Sequence, residues 1–540
     1  MARFESRVSS SSATFADNRR DMLALIETLR ALEQRAVAAS EKRLATFEKR
    51  GQTPPFERLS LLLDPGMPFL RLHSLANYQV EDPNPDTSVP GASAICGIGF
   101  INGVRCMVWI DDSGIRAGAV TAMSVPLSLS VLALAKRHKL PLVHCVESAG
   151  ANLLGSNVEM WANGGALFRN LAQLSAAGIP TIAVLHGPST AGGAYMPGLS
   201  DYVIGVRKNG LAALAGAALV AAATGERADE RALGGAEMHA SISGLVEYLA
   251  EDDAHALSMA RNVIGQLDWN RRCSAPVPAT GTPPYYPTEE LAGLVPVDYK
   301  SPYDVRELMA RIVDGSELTE FKPRFGVSTV CVQARIMGHT CHLIGNNGPI
   351  DPAGAAKATQ FIQLADQAQT PLIFLHNTTG YIVGTESEQA GMIKHGAKMI
   401  QAVSNVRVPK LSLYVGASFG AGNYGMCGYA YEPDFLFAWP NAATNVMGGD
   451  SAAGTMRLVA EAKAARTGEP LDEPALAQQT ARIEAHFMQQ QNAFYTSGRL
   501  LDHGIIDPRD TRKVLGFCLA TCSEARAREL TPNSFGVARI

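Results

Sequence analysis

None of the nine cysteines in this 540-residue chain stands in a Cys-x-x-Cys pair; they are scattered at 96, 106, 145, 273, 331, 341, 427, 518 and 522. That spacing excludes a zinc ribbon and a disulfide framework, and predicts reduced, buried thiols. Charge of one sign is also lacking. The formal net charge is −4 with no long basic run, which argues against a nucleic-acid surface. The longest apolar stretch, Gly118 to Ala135, is broken by Pro126 and several Ser and Thr, so it predicts a buried helix and no membrane association. The start, Phe4-Glu5-Ser6-Arg7 followed by Ser9 to Ser12, has no apolar signal core, and Glu5 and Asp17 count against a transit peptide. Gly-x-Ser-x-Gly and the Lys-Ser/Thr ending of a phosphate loop are missing from the glycine-rich turns. His186, His239, His376 and His395 do not fall at metal-ligand spacing, so no metal is expected and each histidine reads as satisfied or surface-exposed.

What is present is a globular composition, 46% hydrophobic and 18% charged, on a chain long enough for two domains of roughly 200 to 250 residues. The chain also repeats itself. Ile179-Pro180 opens an apolar run that breaks into Gly187-Pro188-Ser189-Thr190-Ala191-Gly192-Gly193-Ala194-Tyr195; Val408-Pro409 opens one that breaks into Gly416-Ala417-Ser418-Phe419-Gly420-Ala421-Gly422-Asn423-Tyr424. Pro180 to Gly192 and Pro409 to Ala421 are both twelve residues. Upstream, Pro141 with the run to Gly150 echoes Pro371 with the run to Gly380, and Gly97 to Cys106 matches Val332 to Cys341 as two strands around a tight turn. Matched offsets over this length mean a duplicated domain.

Each half reads as hairpin, helix, buried strand, helix, buried strand. The helices are expected near Thr121 to His138, Glu159 to Ala177, Ala353 to Ala368 and Gln389 to Ser404. Apolar runs such as Leu142 to Val146 and Leu372 to Leu375, with helices between them, predict a parallel sheet covered on both faces, an α/β fold. A helical arm is expected over 17–50, with Met22, Leu23, Leu25, Ile26, Leu29 and Leu32 on its apolar face. Seven prolines at 276, 278, 283, 284, 287, 296 and 302 predict an extended linker, which divides the chain into domains at 1–285 and 286–540.

The glycine turns carry the chemistry. Small residues after a buried strand leave adjacent backbone N–H groups pointing outward, near a helix N-terminus, where they can hold a developing oxyanion without titrating. Two such turns predict two carbonyl-bearing reactants. The bland alternative is that the glycines only let helices pack close to strands.

Several runs resemble the carboxyltransferase β subunits of biotin-dependent acyl-CoA carboxylases: Ala191 to Tyr195, Ala223-Thr224-Gly225-Glu226, Lys394 to Met399, Gly416 to Met426 and Ser497 to Pro508. The resemblance spans roughly residues 20 to 515, and Phe419 to Met426 is similar to the 3-methylcrotonyl-CoA and geranyl-CoA branch. It implies two tandem crotonase-like domains of the ClpP/crotonase superfamily with ββα-type repeats, a hexamer of β subunits, and a site between the N-terminal half of one subunit and the C-terminal half of another. It implies that Gly192 and Gly193 hold the thioester enolate oxygen of a coenzyme A substrate, and that Ala421 and Gly422 hold the ureido oxygen of biotin. Biotin then supplies both the CO2 and the base, and the proton leaves the γ carbon of a 3-methyl-2-enoyl thioester. No biotin acceptor Met-Lys-Met is present; the nearest string, Ala397-Lys398-Met399, sits in a helical pattern. Nor is a Gly-rich ATP motif followed by Lys visible. A biotin carboxylase/biotin carrier α subunit is therefore the implied partner, in an α6β6 holoenzyme of the bacterial cytoplasm, or of the mitochondrial matrix in a eukaryote.

The chain departs from the family pattern in places. Ala215 to Ala221, around Gly216, lacks two prolines and a lysine expected near the CoA pocket, and Arg116 replaces a lysine. At Gly164-Gly165-Ala166-Leu167-Phe168, Gly164 replaces an aromatic ring and Ala166 an arginine. A missing ring leaves room for a longer acyl tail, which points to a C10 branched substrate, geranyl-CoA, instead of 3-methylcrotonyl-CoA. The competing reading is that Gly164 eases helix packing. Ala191 and Phe419 complete the set of expected substrate contacts. A biotin-independent crotonase-type acyl-CoA enzyme and a non-catalytic assembly subunit are the alternative functions; the first needs only one such hole.

Overall fold

The computed structural model describes residues 3–150, 158–274, 281–468 and 470–539, and only the backbone of Ala218. The chain forms two compact units. Ala31–Pro276, Gly498–Leu500 and Thr521–Ile540 make the N-terminal unit; Met1–Arg30, Val277–Ser497 and Leu501–Ala520 make the C-terminal unit. The expected division at 285/286 therefore gives way to one near 276/277 with the ends exchanged. The reasons are local. Phe15 fills the space over Gly293, Arg7 N–H and Ser6 Oγ donate to the Glu307 carboxylate at 2.7 and 2.6 Å, and Glu307 also holds Arg311. At the other end Arg105 grips Glu524 through two hydrogen bonds, and Asn533 N–H donates to the Ala176 carbonyl.

The arm is a helix, α1 (Ala13–Glu41), with Met22, Ile26, Leu29, Leu32 and Ala36 buried at the spacing a single helical face requires. From Leu291 the proline-rich stretch packs into the C-terminal unit instead of running as an extended linker. Pro276 and Pro278 lie outside the described residues, and Leu291, Ala292, Gly293, Leu294 and Val295 are buried in the C-terminal unit because that short run is wholly apolar.

In the N-terminal unit eight strands form one sheet: β1 (Leu70–Leu72), β2 (Ala94–Ile101), β3 (Val104–Asp111), β4 (Leu142–Ser148), β5 (Thr181–Thr190), β6 (Tyr202–Val206), β7 (Leu211–Ala213) and β8 (Tyr248–Ala250). β2 and β3 form the expected hairpin, and β3 through β6 run parallel. Helices α2 (Ser124–Arg137) and α3 (Val158–Ala176) stand where the apolar periodicity predicts them. Val108, Val143, Ile182 and Ile204, one from each neighbouring strand, are fully buried in the core on the other face.

The C-terminal unit repeats this with β9 (Thr319–Phe321), β10 (Thr329–Ile336), β11 (His339–Asn346), β12 (Leu372–Thr378), β13 (Lys410–Phe419), β14 (Phe435–Ala438) and β15 (Ala443–Asn445). Its helices include α4 (Pro352–Gln367), capped by Asp351, and α5 (Met392–Asn405). The repetition reaches single bonds. The hairpin turns Asn102-Gly103 and Met337-Gly338 both have positive φ, 51° and 74° against 50° and 82°, as a two-residue turn between twisted strands requires. Asp64 accepts both N–H groups of the first turn at 2.8 and 2.7 Å and pairs with Arg261; Asp314 accepts both of the second at 2.9 and 2.8 Å and pairs with Arg512. The parallel register slips before Ser148 on β4 and before Thr378 on β12, at equivalent positions.

The nine cysteines, all among the described residues, form no disulfide; eight are buried and Cys273 is half-buried. Among the described residues no helix is long and apolar enough to cross a membrane.

The Ser497 to Pro508 run closes a loop along β14: Ala438 N–H donates to the Gly504 carbonyl and Ile506 N–H to that of Ala438. At its centre Asp502, 1% exposed, accepts from Ser497 Oγ and Gly504 N–H, both at 2.8 Å. Burial pushes its carboxyl up to about 7, against the opposing pull of those two donors. The ordinary value is about 3.9, so Asp502 contributes stability that is complete below about pH 4 and is lost as pH rises toward 7. Asp502→Asn should flatten the fall in Tm across that window; an unchanged Tm–pH slope contradicts this.

Candidate active site

Both central strands end in the same backbone device. Thr190 and Phe419 are extended, and the residues that follow, Ala191 and Gly420, are left-handed with φ of 53° and 55°. Alanine bears a cost of roughly 1–2 kcal/mol there that glycine does not. A 3₁₀ turn, Ala191–Ala194, then begins in the first copy and a short helix, α6 (Gly420–Gly425), in the second. N–H groups in the first turn of a helix have no acceptor within it. Ala421 and Gly422 occupy such positions, as do Ala191 and Gly192. In the tighter 3₁₀ turn the first i→i+3 bond falls at Gly193, whose N–H faces the Thr190 carbonyl. Gly192 and Ala421 are exposed, Gly193 is half-buried and Gly422 is buried.

The first glycine of each motif has a different task. A Cβ on Gly187 would lie 2.7 Å from the Glu147 carboxyl, and one on Gly416 would lie 2.4 Å from Asn377 Oδ1. Both polar residues sit six positions after their aligned prolines, so packing explains these two glycines. Glu147 belongs to a buried ionic cluster. Its carboxylate meets Arg58 and Gln52 at 3.2 Å each, and Arg58 also faces Asp253, which holds His186 at 2.9 Å. Burial and the neighbouring Arg58 hold His186 below its usual pKa, against the opposing pull of Asp253 and Glu147.

Beside the first turn, within the N-terminal unit, lies a cavity of about 790 Å³ between the sheet and helices α2 and α3. Gly192, Gly193 and Ala191 line it, as do Gly164 and Gly165. It reaches from Ala94 on β2 to Ser189 on β5, three strand spacings or about 14 Å. Its floor carries Trp109 stacked on His144 at 3.9 Å, with His144 Nε2 3.2 Å from the Asp111 carboxylate. Phe168 closes over the turn: a Cβ on Gly192 would come 3.6 Å from its ring. Among the described residues, a Cβ on Gly164 would meet only Val125, at 3.8 Å, and one on Gly165 nothing within 4 Å. Among the described residues, helix packing therefore does not require glycine at either position.

Three expected contacts fall elsewhere. Arg116 is outside the cavity and forms an ion pair with Glu81. Gly216 is the N-cap residue of the helix Ala217–Thr224 and faces open space. The Phe419 ring is 1% exposed and packs edge-on against Tyr299 at 5.1 Å, so it supports the second turn from below. Trp109, Asp111, His144 and Phe168 were not singled out from sequence. The first three follow from strand alternation, positions 109 and 111 on β3 and 144, 146 and 148 on β4 sharing the helix-covered face; Phe168 follows from its position one helical turn after Gly164. A second cavity of about 250 Å³ shares Glu147 and Ser148 with the first and is lined by Arg43 and Arg50.

Residues 47–537 match the carboxyl transferase domain family. The crystal structure of the Pseudomonas aeruginosa geranyl-CoA carboxylase β subunit is 49% identical, covers all of both chains and has a TM-score of 0.93. The probable biotin-dependent acyl-coenzyme A carboxylase beta2 subunit of Mycobacterium tuberculosis is 47% identical over 496 residues, 91% of each chain. The biotin-dependent 3-methylcrotonyl-coenzyme A carboxylase beta1 subunit of the same organism is 40% identical over 536 residues, 98% of each.

The two turns differ in the room they leave. A Cβ on Gly422 would lie 2.7 Å from Gly380 Cα and 3.0 Å from its carbonyl carbon, whereas a Cβ on Gly192 makes only ordinary contact with Phe168. Gly422→Ala should lower Tm by several degrees and Gly192→Ala by no more than about two, given that ~1 kcal/mol corresponds to roughly 2–4 °C in a domain of about 150–250 residues. The reverse order in a thermal melt contradicts the geometry.

Proposed function

We propose that this chain, which belongs to the carboxyl transferase family and is a β subunit of a biotin-dependent acyl-CoA carboxylase, carboxylates the γ carbon of geranyl-CoA. The observation that carries the choice of substrate is the cavity. A volume of 790 Å³ spanning three strand spacings suits a C10 branched tail, and the bare Gly164–Gly165 surface leaves the space that a ring would fill. Five further carbons, each contributing about 0.8 kcal/mol when buried, favour the C10 over the C5 thioester by up to about 4 kcal/mol.

The Ala191–Gly193 turn lines that cavity, which supports Gly192 and Gly193 as the residues that hold the thioester oxygen. Loss of the γ proton spreads negative charge through the conjugated enoyl system onto this oxygen, and each amide aimed there is worth about 2.7–4 kcal/mol in the transition state. Ser148 and Ser189 lie beneath Gly193 and fix its approach from the sheet. Arg43 and Arg50 supply cations for the phosphates of coenzyme A.

The second turn fits biotin by the nature of its donors: Ala421 and Gly422 present first-turn amides to a carbonyl oxygen that becomes anionic, with no side chain to titrate. When bound, biotin supplies the carboxyl group and the base. The cofactor arrives on a biotin carboxylase/biotin carrier α subunit. The β subunits form a hexamer within an α6β6 holoenzyme, in the cytoplasm of a bacterium or the mitochondrial matrix of a eukaryote.

The test is the holoenzyme, captured on avidin through its biotinylated α subunit and assayed with ATP and bicarbonate. kcat/KM for geranyl-CoA should exceed that for 3-methylcrotonyl-CoA at least tenfold, and Gly164→Phe should shift the ratio toward the short substrate. A preference of the parent enzyme for 3-methylcrotonyl-CoA rejects the C10 assignment, and a chain that does not co-purify with a biotinylated protein rejects the carboxylase reading.

A further inference from the structure

Beneath the second glycine turn runs a chain of hydrogen bonds that the first turn lacks. Asn423, on α6, donates through Nδ2 to Ser418 Oγ at 2.8 Å and to Tyr414 Oη at 3.1 Å. Ser418 Oγ lies 2.8 Å from His376 Nδ1 on the neighbouring strand β12, and Tyr414 Oη also accepts the Tyr429 N–H. His376 and Ser418 are fully buried and Tyr414 is 3% exposed. Burial holds His376 down at about 3, against a hydrogen bond with the Met426 backbone, so the ring is neutral at any pH at which the enzyme works. His376 Nδ1 and Ser418 Oγ share one proton, whose place the imidazole tautomer sets. The chain links Asn423 through Ser418 to His376.

Counted from the aligned prolines, the equivalent residues of the first copy are Ala194 for Asn423, Ser189 for Ser418, Leu185 for Tyr414 and Val146 for His376. The serine is kept and its three partners are apolar. Ser189 Oγ is buried with no hydrogen-bond partner among the described residues. Yet the first copy makes the same left-handed bend, 53° against 55°, after the same slip in register. The polar chain is thus not needed to form the turn, and it sits only under the turn assigned to biotin.

We propose that His376, Ser418 and Asn423 are positioning residues that pin the N-terminus of α6 to β12 and β13 and so keep the Ala421 and Gly422 amides aimed at the biotin ureido oxygen. The inference rests on the assignment of that turn to biotin. The asymmetry has a chemical rationale. A substrate enclosed in a deep cavity is oriented by its own burial, whereas a cofactor that swings in on another chain must find donors already in place.

The test uses the reconstituted holoenzyme with Ser418→Ala, Ser418→Thr and Asn423→Ala. Its readouts are kcat, KM for acyl-CoA, Tm, and the rate of carboxyl transfer from the carboxylated acyl-CoA product to free biotin. Ser418→Ala and Asn423→Ala should lower kcat and the free-biotin reaction by about a hundredfold, the effect of roughly 1 Å of misplacement. KM for acyl-CoA should stay within about twofold, and Ser418→Thr, which keeps the hydroxyl, should recover most of the rate. Rates within threefold of the parent at a temperature well below Tm overturn the inference and leave the biotin assignment standing. A raised KM for acyl-CoA with normal free-biotin kinetics overturns the assignment itself. Should Ser418→Ala fail to fold, Asn423→Ala, at a half-buried position, gives the same readouts.

Discussion

A left-handed residue directly after a buried parallel strand is the constraint on which the rest depends. At Ala191 and Gly420 it swings the chain out of the sheet before a helix begins, so the next two or three amides fall outside the ladder and ahead of the first helical hydrogen bond. An alanine held in this conformation is strained, and strain of this kind persists where the surrounding structure over-determines it. Here the surroundings are the register slip beneath each turn and the polar residue, Glu147 or Asn377, that fills the space beside Gly187 or Gly416.

The two copies keep backbone geometry and exchange side chains. The carboxylates Asp64 and Asp314 hold equivalent hairpin turns, each with its arginine, because the turn presents two N–H groups that must be satisfied in either copy. What changed is the space between sheet and helices. In the N-terminal unit glycines at 164 and 165 leave a cavity; in the C-terminal unit the space against the sheet is occupied by Phe361, Ile362 and Met399 in the core. One frame thus carries a cavity beside its first turn and a second, more tightly packed turn.

Much of this was legible in the sequence. Matched prolines and glycines located both turns, and mainly apolar runs located the parallel strands, because burial on both faces leaves little room for polar side chains. Asn102-Gly103 announced a hairpin; Met337-Gly338 did so only by comparison with it, since methionine at positive φ is not a turn signal. The packing of Leu291 to Val295 was hidden by flanking prolines. Spacing along the chain does not say whether an arginine finds an acid, as Arg116 finds Glu81, or whether a ring turns inward, as that of Phe419 does. The cavity floor, Trp109 on His144, needed strand pairing across β3 and β4 before the residues became neighbours.

The central claim is that backbone amides at the two bends, and no titrating side chain, stabilise charge on two reactants. Ala421→Pro tests it most directly, because proline deletes one amide at a first-turn position where a helix tolerates it. In the holoenzyme the account predicts a loss of about 10²–10³ in kcat with Tm preserved within a few degrees, as removal of one such donor requires. Activity retained within threefold in a folded Ala421→Pro enzyme would contradict it.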